Sequence, residues 1–309
     1  MTKILITGAS GFIGSHIVEN LISGDFQIMA LKRTTTDCWR CSSFNDQIVW
    51  IDIDSEGAWK NYIVNFKPTI IIHAAWIGVE AGERDDLSMQ VKNINFLVEL
   101  LKIAKGLRLD KFIVLGSQAE YGVLNGKVSE EEIVSPVTAY ASVKIASMHI
   151  CKTFCEQNNI AWIWIRVFSV FGERESENWL IPSIIKKMKT AMEVDLTAGN
   201  QKYAYLYVQD FAGIIKKICM QVFPSGVYNI SADKTISLKQ LISAIKNKLN
   251  SSSSLNWGIL PYRVNQSMHI EGDITKLISQ IGPCQFTDLS VALDKTIKYY
   301  ISNSNSKSN

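Results

Sequence analysis

With 309 residues, the chain can bury one large α/β core, alone or with a smaller appendage. Hydrophobic residues make up 47% and charged residues 20%, an ordinary soluble balance, and a net charge of +3 without a long basic block excludes nucleic acid as an expected partner. No apolar run reaches the roughly 18 residues of a membrane span, and the run after Met1-Thr2-Lys3 is too short for a secretory leader, so the expected compartment is the cytoplasm, with no membrane partner.

In chain order, β-branched runs at Lys3–Thr7, Gln27–Leu31, Ile48–Ile51, Thr69–His73, Lys111–Gly116 and Trp162–Arg166 read as strands, apolar on both faces as in a buried parallel sheet. Helical stretches at Gly11–Ser23, Glu56–Phe66, Leu87–Gly106 and Thr138–Asn158 separate them. This alternation predicts an α/β fold with a doubly wound parallel sheet and right-handed crossovers. Beyond Phe168 the rhythm loosens. A helix is expected around Ile181–Met192, a strand at Tyr203–Val208, a helix from Gln209, a strand at Val227–Ile230, and helices at Leu238–Leu249 and Leu289–Ser302, with Ser251–Ser254 as a loop. The expected division is a sheet unit over 1–168, a smaller lobe over 169–301 interleaved with the last sheet strands, and a disordered polar tail over 302–309.

Six cysteines suit a reducing compartment. Cys38-Trp39-Arg40-Cys41 has zinc-knuckle or redox spacing, but no second pair complements it, and Cys151 and Cys155 stand one helical turn apart as packing residues. His16, His73, His149 and His269 form no ligand cluster, so no metal is expected.

Chemistry begins at Gly8-Ala9-Ser10-Gly11-Phe12-Ile13-Gly14, which follows a strand and enters a helix. In that context Gly8 makes the turn, Gly11 lets the backbone approach a pyrophosphate and Gly14 lets helix and strand pack closely, while the helix N-terminus holds the phosphates. The second strand ends on Lys32-Arg33, where a binder of NAD usually carries an acid for the ribose hydroxyls. Cations there attract a 2′-phosphate, and Arg33 can grip one bidentately, which favours NADPH with NADH left open. The bland alternative is a solvated strand end. Asp52-Ile53 is placed for adenine contacts, and Ala74-Ala75 offers small residues where the cofactor crosses the sheet.

Tyr140 and Lys144 lie four residues apart on one helical face, and Ser117 ends the fifth predicted strand. Reduction of a ketone needs a proton donor at the developing alkoxide. A free phenol titrates near about 10, so a neighbouring ammonium is expected to lower it, while Ser117 hydrogen-bonds the same oxygen. A bare Tyr-x-x-x-Lys is weak evidence, but behind a strand-end serine and a glycine-rich turn it is specific.

Taken together, these segments resemble the extended short-chain dehydrogenase/reductases that modify nucleotide sugars, the NAD-dependent epimerase/dehydratase family, over nearly the whole length. Thr7 through Gly14 is similar to the family's Rossmann opening, Ser117-Gln118-Ala119-Glu120-Tyr121-Gly122 to its serine segment, and Pro136 through Lys144 to its tyrosine segment. The resemblance implies Ser117, Tyr140 and Lys144 as the catalytic set and the C-terminal lobe as a nucleotide-sugar clamp. It also implies a homodimer built on helices near 87–106 and 138–158. Gln118-Ala119 stands where the family's 4,6-dehydratases carry Asp-Glu, and Ala119 where its epimerase-reductases acting at carbons 3 and 5 carry cysteine. Simple 4-epimerases usually keep the acidic ribose residue that is missing here. What remains is an NADPH-dependent reduction of a nucleotide-linked 4-keto-6-deoxyhexose, best matched by dTDP-4-dehydro-6-deoxyglucose, for surface polysaccharide or O-antigen synthesis. A 4-epimerase with retained NAD and a non-catalytic cofactor-sensing module are the alternatives. In the clamp, Tyr203-Ala204-Tyr205 replaces the family's frequent Arg-Asp, and Lys202 is the candidate substitute cation. Leu260-Pro261-Tyr262-Arg263 resembles a later phosphate-binding segment, making Arg263 the implied diphosphate ligand, and the segment from Asn178 to Pro182 matches the one lying over the nucleotide.

Overall fold

The computed structural model describes residues 1–54 and 57–306. Glu56, expected to begin the second helix, and 307–309, the end of the expected tail, lie outside the described residues. In chain order the first half builds β1 (Thr2–Thr7), α1 (Phe12–Ile22), β2 (Phe26–Lys32), β3 (Ile48–Asp52), α2 (Ala58–Phe66), β4 (Ile70–His73), α3 (Leu87–Ala104), β5 (Lys111–Leu115), β6 (Asn125–Val128), α4 (Ala139–Gln157) and β7 (Ala161–Val167). The second half adds β8 (Val170–Phe171), α5 (Leu180–Thr190), β9 (Glu193–Leu196), β10 (Lys202–Tyr203), β11 (Leu206–Tyr207), α6 (Val208–Met220), β12 (Gly226–Ile230) and β13 (Ile236–Ser237). It closes with α7 (Leu238–Leu249), β14 (Ser254–Trp257), β15 (His269–Gly272), α8 (Thr275–Ile281) and α9 (Leu289–Ser306).

Seven strands form one sheet in the order β12-β7-β5-β4-β1-β2-β3, parallel at every pairing. Side chains alternate across each strand, so both faces must be apolar. Ile4 and Ile6 of β1 join Ile17, Val18 and Leu21 of α1 and Phe211, Ile214 and Ile218 of α6. Leu5, between them, faces the other way, toward Trp59 of α2, Leu97 and Leu101 of α3, and Cys151 and Cys155 of α4. The order reverses between β1 and β4, and a crevice at the strands' C-terminal ends is the usual ligand position in such a sheet.

A third cluster packs α5, α7 and α9 through Ile184, Ile185, Leu241, Ile245 and Leu293. Around it lie a four-stranded sheet, β13-β10-β15-β6, and the pairs β11-β8 and β14-β9. Chain beyond residue 168 also supplies β12 to the main sheet and α6 to its face. The lysine that starts β5 fixes that arrangement: buried Lys111 donates to the carbonyls of Ile218 (2.9 Å), Cys219 (3.0 Å) and Gln221 (2.5 Å) at the end of α6.

Several elements depart from the sequence expectation. The strand expected at Tyr203–Val208 is two, β10 and β11, because its halves pair into different sheets, with β15 and β8 respectively, and Val208 already belongs to α6. Ser254 begins β14 instead of ending a loop. The polar stretch around Cys38 winds into a 3-10 helix at Trp39–Gln47 that buries Cys41 and Phe44. The helix α9 continues through 302–306, the first part of the segment expected to be a disordered tail. No helix among the described residues is long and apolar enough to cross a membrane.

Two histidines are buried uncharged. His16 on α1 hydrogen-bonds the Glu173 carbonyl oxygen through Nε2 (2.8 Å) and is pushed down to about 3 by burial, then by the Arg174 charge. His73, ending β4, sits 2.7 Å from Thr7 Oγ1 and is likewise pushed down to about 3 by burial, with Lys144 adding to the effect. Both folded values lie below the ordinary 6.5, so the unfolded chain takes up protons first as pH falls. Stability is therefore full above pH 6.5 and is lost below it, at about 1.4 kcal/mol per pH unit for each histidine. Urea midpoints measured from pH 7 down to 5 are expected to drop steadily, and less steeply in His73→Gln.

Candidate active site

Gly8 follows β1 with φ at +74°, a left-handed conformation that favours glycine, and a Cβ there would stand 2.6 Å from the Ala75 amide nitrogen. The loops after β1 and β4 thus meet backbone to backbone at the switch point. A Cβ on Gly14 would lie 2.0 Å from the Gly8 carbonyl oxygen, so α1 starts directly against the turn. Gly11 caps α1 with no side-chain bond, and no acid lies in the first turn. The amides of Phe12 and Ile13 have no intrahelical acceptor available to them. A helix N-terminus lacking both cap and carboxylate, on a glycine backbone, fits the diphosphate of a dinucleotide. Behind the turn, Cys41 donates to the Ala9 carbonyl (3.4 Å) and Arg40 to those of Ser10 (3.4 Å) and Arg174 (2.8 Å).

At the ends of β2 and β3, Lys32 and Asp52 are register partners, and their side chains form an ion pair of 2.8 Å. Lys32, expected as one of two open cations, is therefore already matched by a carboxylate. Arg33 is exposed beyond it, and the Ile53 amide donates to the Lys32 carbonyl (2.9 Å). Ala74 and Ala75 line the crossing point, with the Ala75 amide donating to Thr7 Oγ1 (3.2 Å).

The three residues of the expected catalytic set come from two elements, Ser117 from the turn after β5 and Tyr140 with Lys144 from α4, and meet at the C-terminal edge of β4 and β5. Ser117 caps a 3-10 turn, Gln118–Tyr121, by a reciprocal arrangement: its hydroxyl accepts the Ala119 amide (3.1 Å) and the Glu120 carboxylate accepts the Ser117 amide (2.8 Å). Glu120 is fully buried and also accepts Trp164 Nε1 (2.9 Å) and Arg166 Nε (2.9 Å). Beyond it, Tyr121 donates to Asn229 of β12 (2.8 Å).

Tyr140 and Lys144 lie in the first two turns of α4, capped by Thr138. Burial raises the Tyr140 phenol above its ordinary value, partly offset by a hydrogen bond with Ser117 and the Arg84 charge. Burial pushes Lys144 down to about 7, with Glu120 pulling it back. The Lys144 ammonium donates to the Leu115 carbonyl (2.6 Å) and stands 3.5 Å from the centroid of the Trp76 ring, against 5.7 Å from that of Tyr140. The lysine was expected to be the cation acting on the phenol. In the structure a residue unmarked by the sequence reading, Arg84, approaches the ring more closely, at 5.1 Å. Trp76 packs edge-on to Tyr140 at 6.0 Å. Arg84 had one legible signal, as the lone cation in the acidic stretch Glu80 to Asp86.

The expected substrate residues divide between two places. Exposed Asn178 precedes Trp179, whose ring faces the Arg84 guanidinium at 5.9 Å, so this segment borders the phenol. Lys202, which begins β10, and Arg263, on the loop before β15, are both exposed in neighbouring segments: Tyr203 donates to the Ser267 carbonyl (2.9 Å), Arg263 acts electrostatically on Tyr203, and the Asn200 amide donates to Tyr262 (3.2 Å).

The model of the NAD dependent epimerase/dehydratase family matches residues 4–231. CDP-abequose synthase of Salmonella muenchen is 29% identical over 285 residues, covering 91% of this chain and 92% of its own. GDP-L-colitose synthase of Yersinia pseudotuberculosis is 23% identical over 326 residues, covering 98% and 99%. Among solved structures, UDP-glucuronic acid 4-epimerase from Bacillus cereus, in complex with UDP-glucuronic acid and NAD, has a TM-score of 0.87 at 24% identity, covering 98% and 100%, a likeness of fold.

The Glu120 network yields a stability test. Glu120→Ala leaves the buried Arg166 unmatched, with an expected loss of roughly 3–5 kcal/mol in urea unfolding. Glu120→Gln keeps an acceptor for the Ser117 amide and should lose less. A loss under about 1 kcal/mol for the alanine variant would show that this carboxylate does not hold the serine turn.

Proposed function

The chain belongs to the NAD dependent epimerase/dehydratase family, and from that membership we propose that it reduces the 4-keto group of a nucleotide-linked 4-keto-6-deoxyhexose. The observation carrying this reading is the state of the groups around Ser117. Tyr140 is desolvated and held protonated at neutral pH, as a proton donor must be. Glu120, the carboxylate of the serine turn, is locked by three donors and cannot serve as the base of a dehydration. Bound nicotinamide supplies the hydride. Tyr140 gives its proton to the oxygen on carbon 4, Ser117 hydrogen-bonds the same oxygen, and the nearby cations Arg84 and Lys144 oppose the negative charge left on the phenol.

NADPH is the proposed donor on the strength of exposed Arg33, although the Lys32–Asp52 pair leaves one open cation where two were expected. The same pair, and NAD in the solved 4-epimerase, favour a second reading: 4-epimerisation with retained NAD. Arg263, Lys202 and Asn178 are proposed to hold the nucleotide sugar. A dTDP sugar is the first substrate to test, and a CDP sugar stands beside it because of the abequose synthase likeness. A role in cytoplasmic synthesis of surface polysaccharide follows from this chemistry. The proposed homodimer uses the outer faces of α3 and α4, where Val91 is exposed and His149, Ile150, Thr153 and Phe154 line a shallow depression.

Purified protein with dTDP-, CDP- and GDP-linked 4-keto-6-deoxy sugars is expected to consume NADPH, with NMR identifying a 4-hydroxy product. Tyr140→Phe should lower kcat by roughly 100-fold or more. No consumption with any keto sugar, together with interconversion of 4-hydroxy sugars without added cofactor, replaces reduction by epimerisation. Arg33→Ala is expected to raise the KM for NADPH by about tenfold or more and leave that for NADH unchanged. Equal effects on both would remove the 2′-phosphate role.

A further inference from the structure

We propose that Arg84 is a positioning residue for Tyr140: its guanidinium, fixed over the phenol ring, adds a permanent charge beside Lys144 that favours the phenolate and so eases exchange of the phenol's proton. The inference rests on the reading of Tyr140 as the proton donor and assigns a share of the electrostatic part of that role to a residue outside the Ser117–Tyr140–Lys144 set.

The guanidinium carbon lies 5.1 Å from the Tyr140 ring centroid and 5.9 Å from that of Trp179, so it stands between the phenol and the segment preceding α5. A cation over an aromatic face is attracted to it, and more strongly once the ring is a phenolate. Arg84 is also held in place. Its Nε donates to the Val79 carbonyl (3.0 Å), and its own carbonyl accepts the Tyr140 amide (2.8 Å). Next to it, Asp85 accepts the Ala139 amide (3.1 Å), so the loop between β4 and α3 is stapled to the first turn of α4, the turn that carries Tyr140.

The other charges around the phenol are less suited to the task. Lys144, from the same helix, gives its ammonium to the Leu115 carbonyl and stands closer to Trp76 than to Tyr140, and burial drives it toward neutrality near pH 7. Glu120, from the serine turn, opposes the phenolate, and His73, at the end of β4, is neutral. Arginine keeps its charge throughout the working range. Among the described residues, Arg84 is the permanent cation adjoining this ring.

The test reads Tyr140 directly. Protein labelled with ¹³C at the tyrosine Cζ is titrated by NMR, with Tyr140→Phe assigning the resonance and circular dichroism confirming the fold at each pH. Arg84→Met is expected to raise the Tyr140 midpoint by about one to two pH units, and Arg84→Lys, which keeps the charge, by clearly less. Any turnover measured beside it should show the alkaline limb of kcat/KM moving by the same amount. An unchanged midpoint in Arg84→Met overturns the proposal. So does an equal shift in both variants, because loss of the loop's shape, and not of its charge, would then be the cause. No substrate is needed, so an enzyme inactive on every keto sugar would sink the proposed reduction while leaving the titration to decide this point.

Discussion

One carboxylate with no contact to solvent organises the reactive end of this molecule. Glu120 holds the Ser117 amide, the Trp164 indole and the Arg166 guanidinium at once, and so keys the turn after β5 to the neighbouring β7. The fit leaves no room for a side chain at Gly116, where a Cβ would stand 2.1 Å from Trp164 Nε1 and 2.6 Å from Glu120 Oε1. Through Tyr121 and Asn229 the same chain of bonds reaches β12, which is supplied by the distant second half of the sequence. The serine is thus aimed by three adjacent strands. A buried ion pair of this kind is costly to desolvate and contributes little net stability, but breaking it is expensive. Its value lies in specifying a single geometry.

Dryness has two opposite effects within the site. The burial that lifts the Tyr140 phenol also pushes Lys144 down to about 7, so the same desolvation moves the two groups in opposite directions. A protonated phenol thus stands beside an amine that burial brings to about 7, with the permanent charge of Arg84 nearby. Trp76 connects the two groups, edge to the phenol and face to the ammonium, and its indole is fixed by Gln90 of α3 (2.9 Å).

Much of this was legible because it is local. Gly8, Gly11 and Gly14 encode a backbone shape within seven residues, and Tyr140 and Lys144 share a helical face by spacing alone. The β-branched strands of the main sheet carry apolar residues on both sides, a pattern that survives without knowledge of partners. What escaped depends on residues far apart in sequence. Lys32 meets Asp52 only through the register of β2 against β3, and Arg84 meets Tyr140 only because a long loop folds back over α4. The four-stranded sheet gathers β6, β10, β13 and β15 from across the chain, and strands such as Asn125-Gly126-Lys127-Val128 have no apolar period to announce them. Residue charge pointed to two cations at the end of β2, and a cross-strand acid cancelled one.

Strand β5 is clamped at both ends by ammonium groups of different origin. At its start Lys111 reaches three carbonyls that finish α6, and at its end the Leu115 carbonyl receives Lys144 from α4. A slip of one residue would turn Lys111 to the opposite side of the sheet, away from those carbonyls, and would withdraw the acceptor from Lys144 in the same movement. The two lysines therefore work like the marks of a vernier. Only one alignment of this five-residue strand satisfies both, and that alignment sets how far the serine stands from the helix it must face.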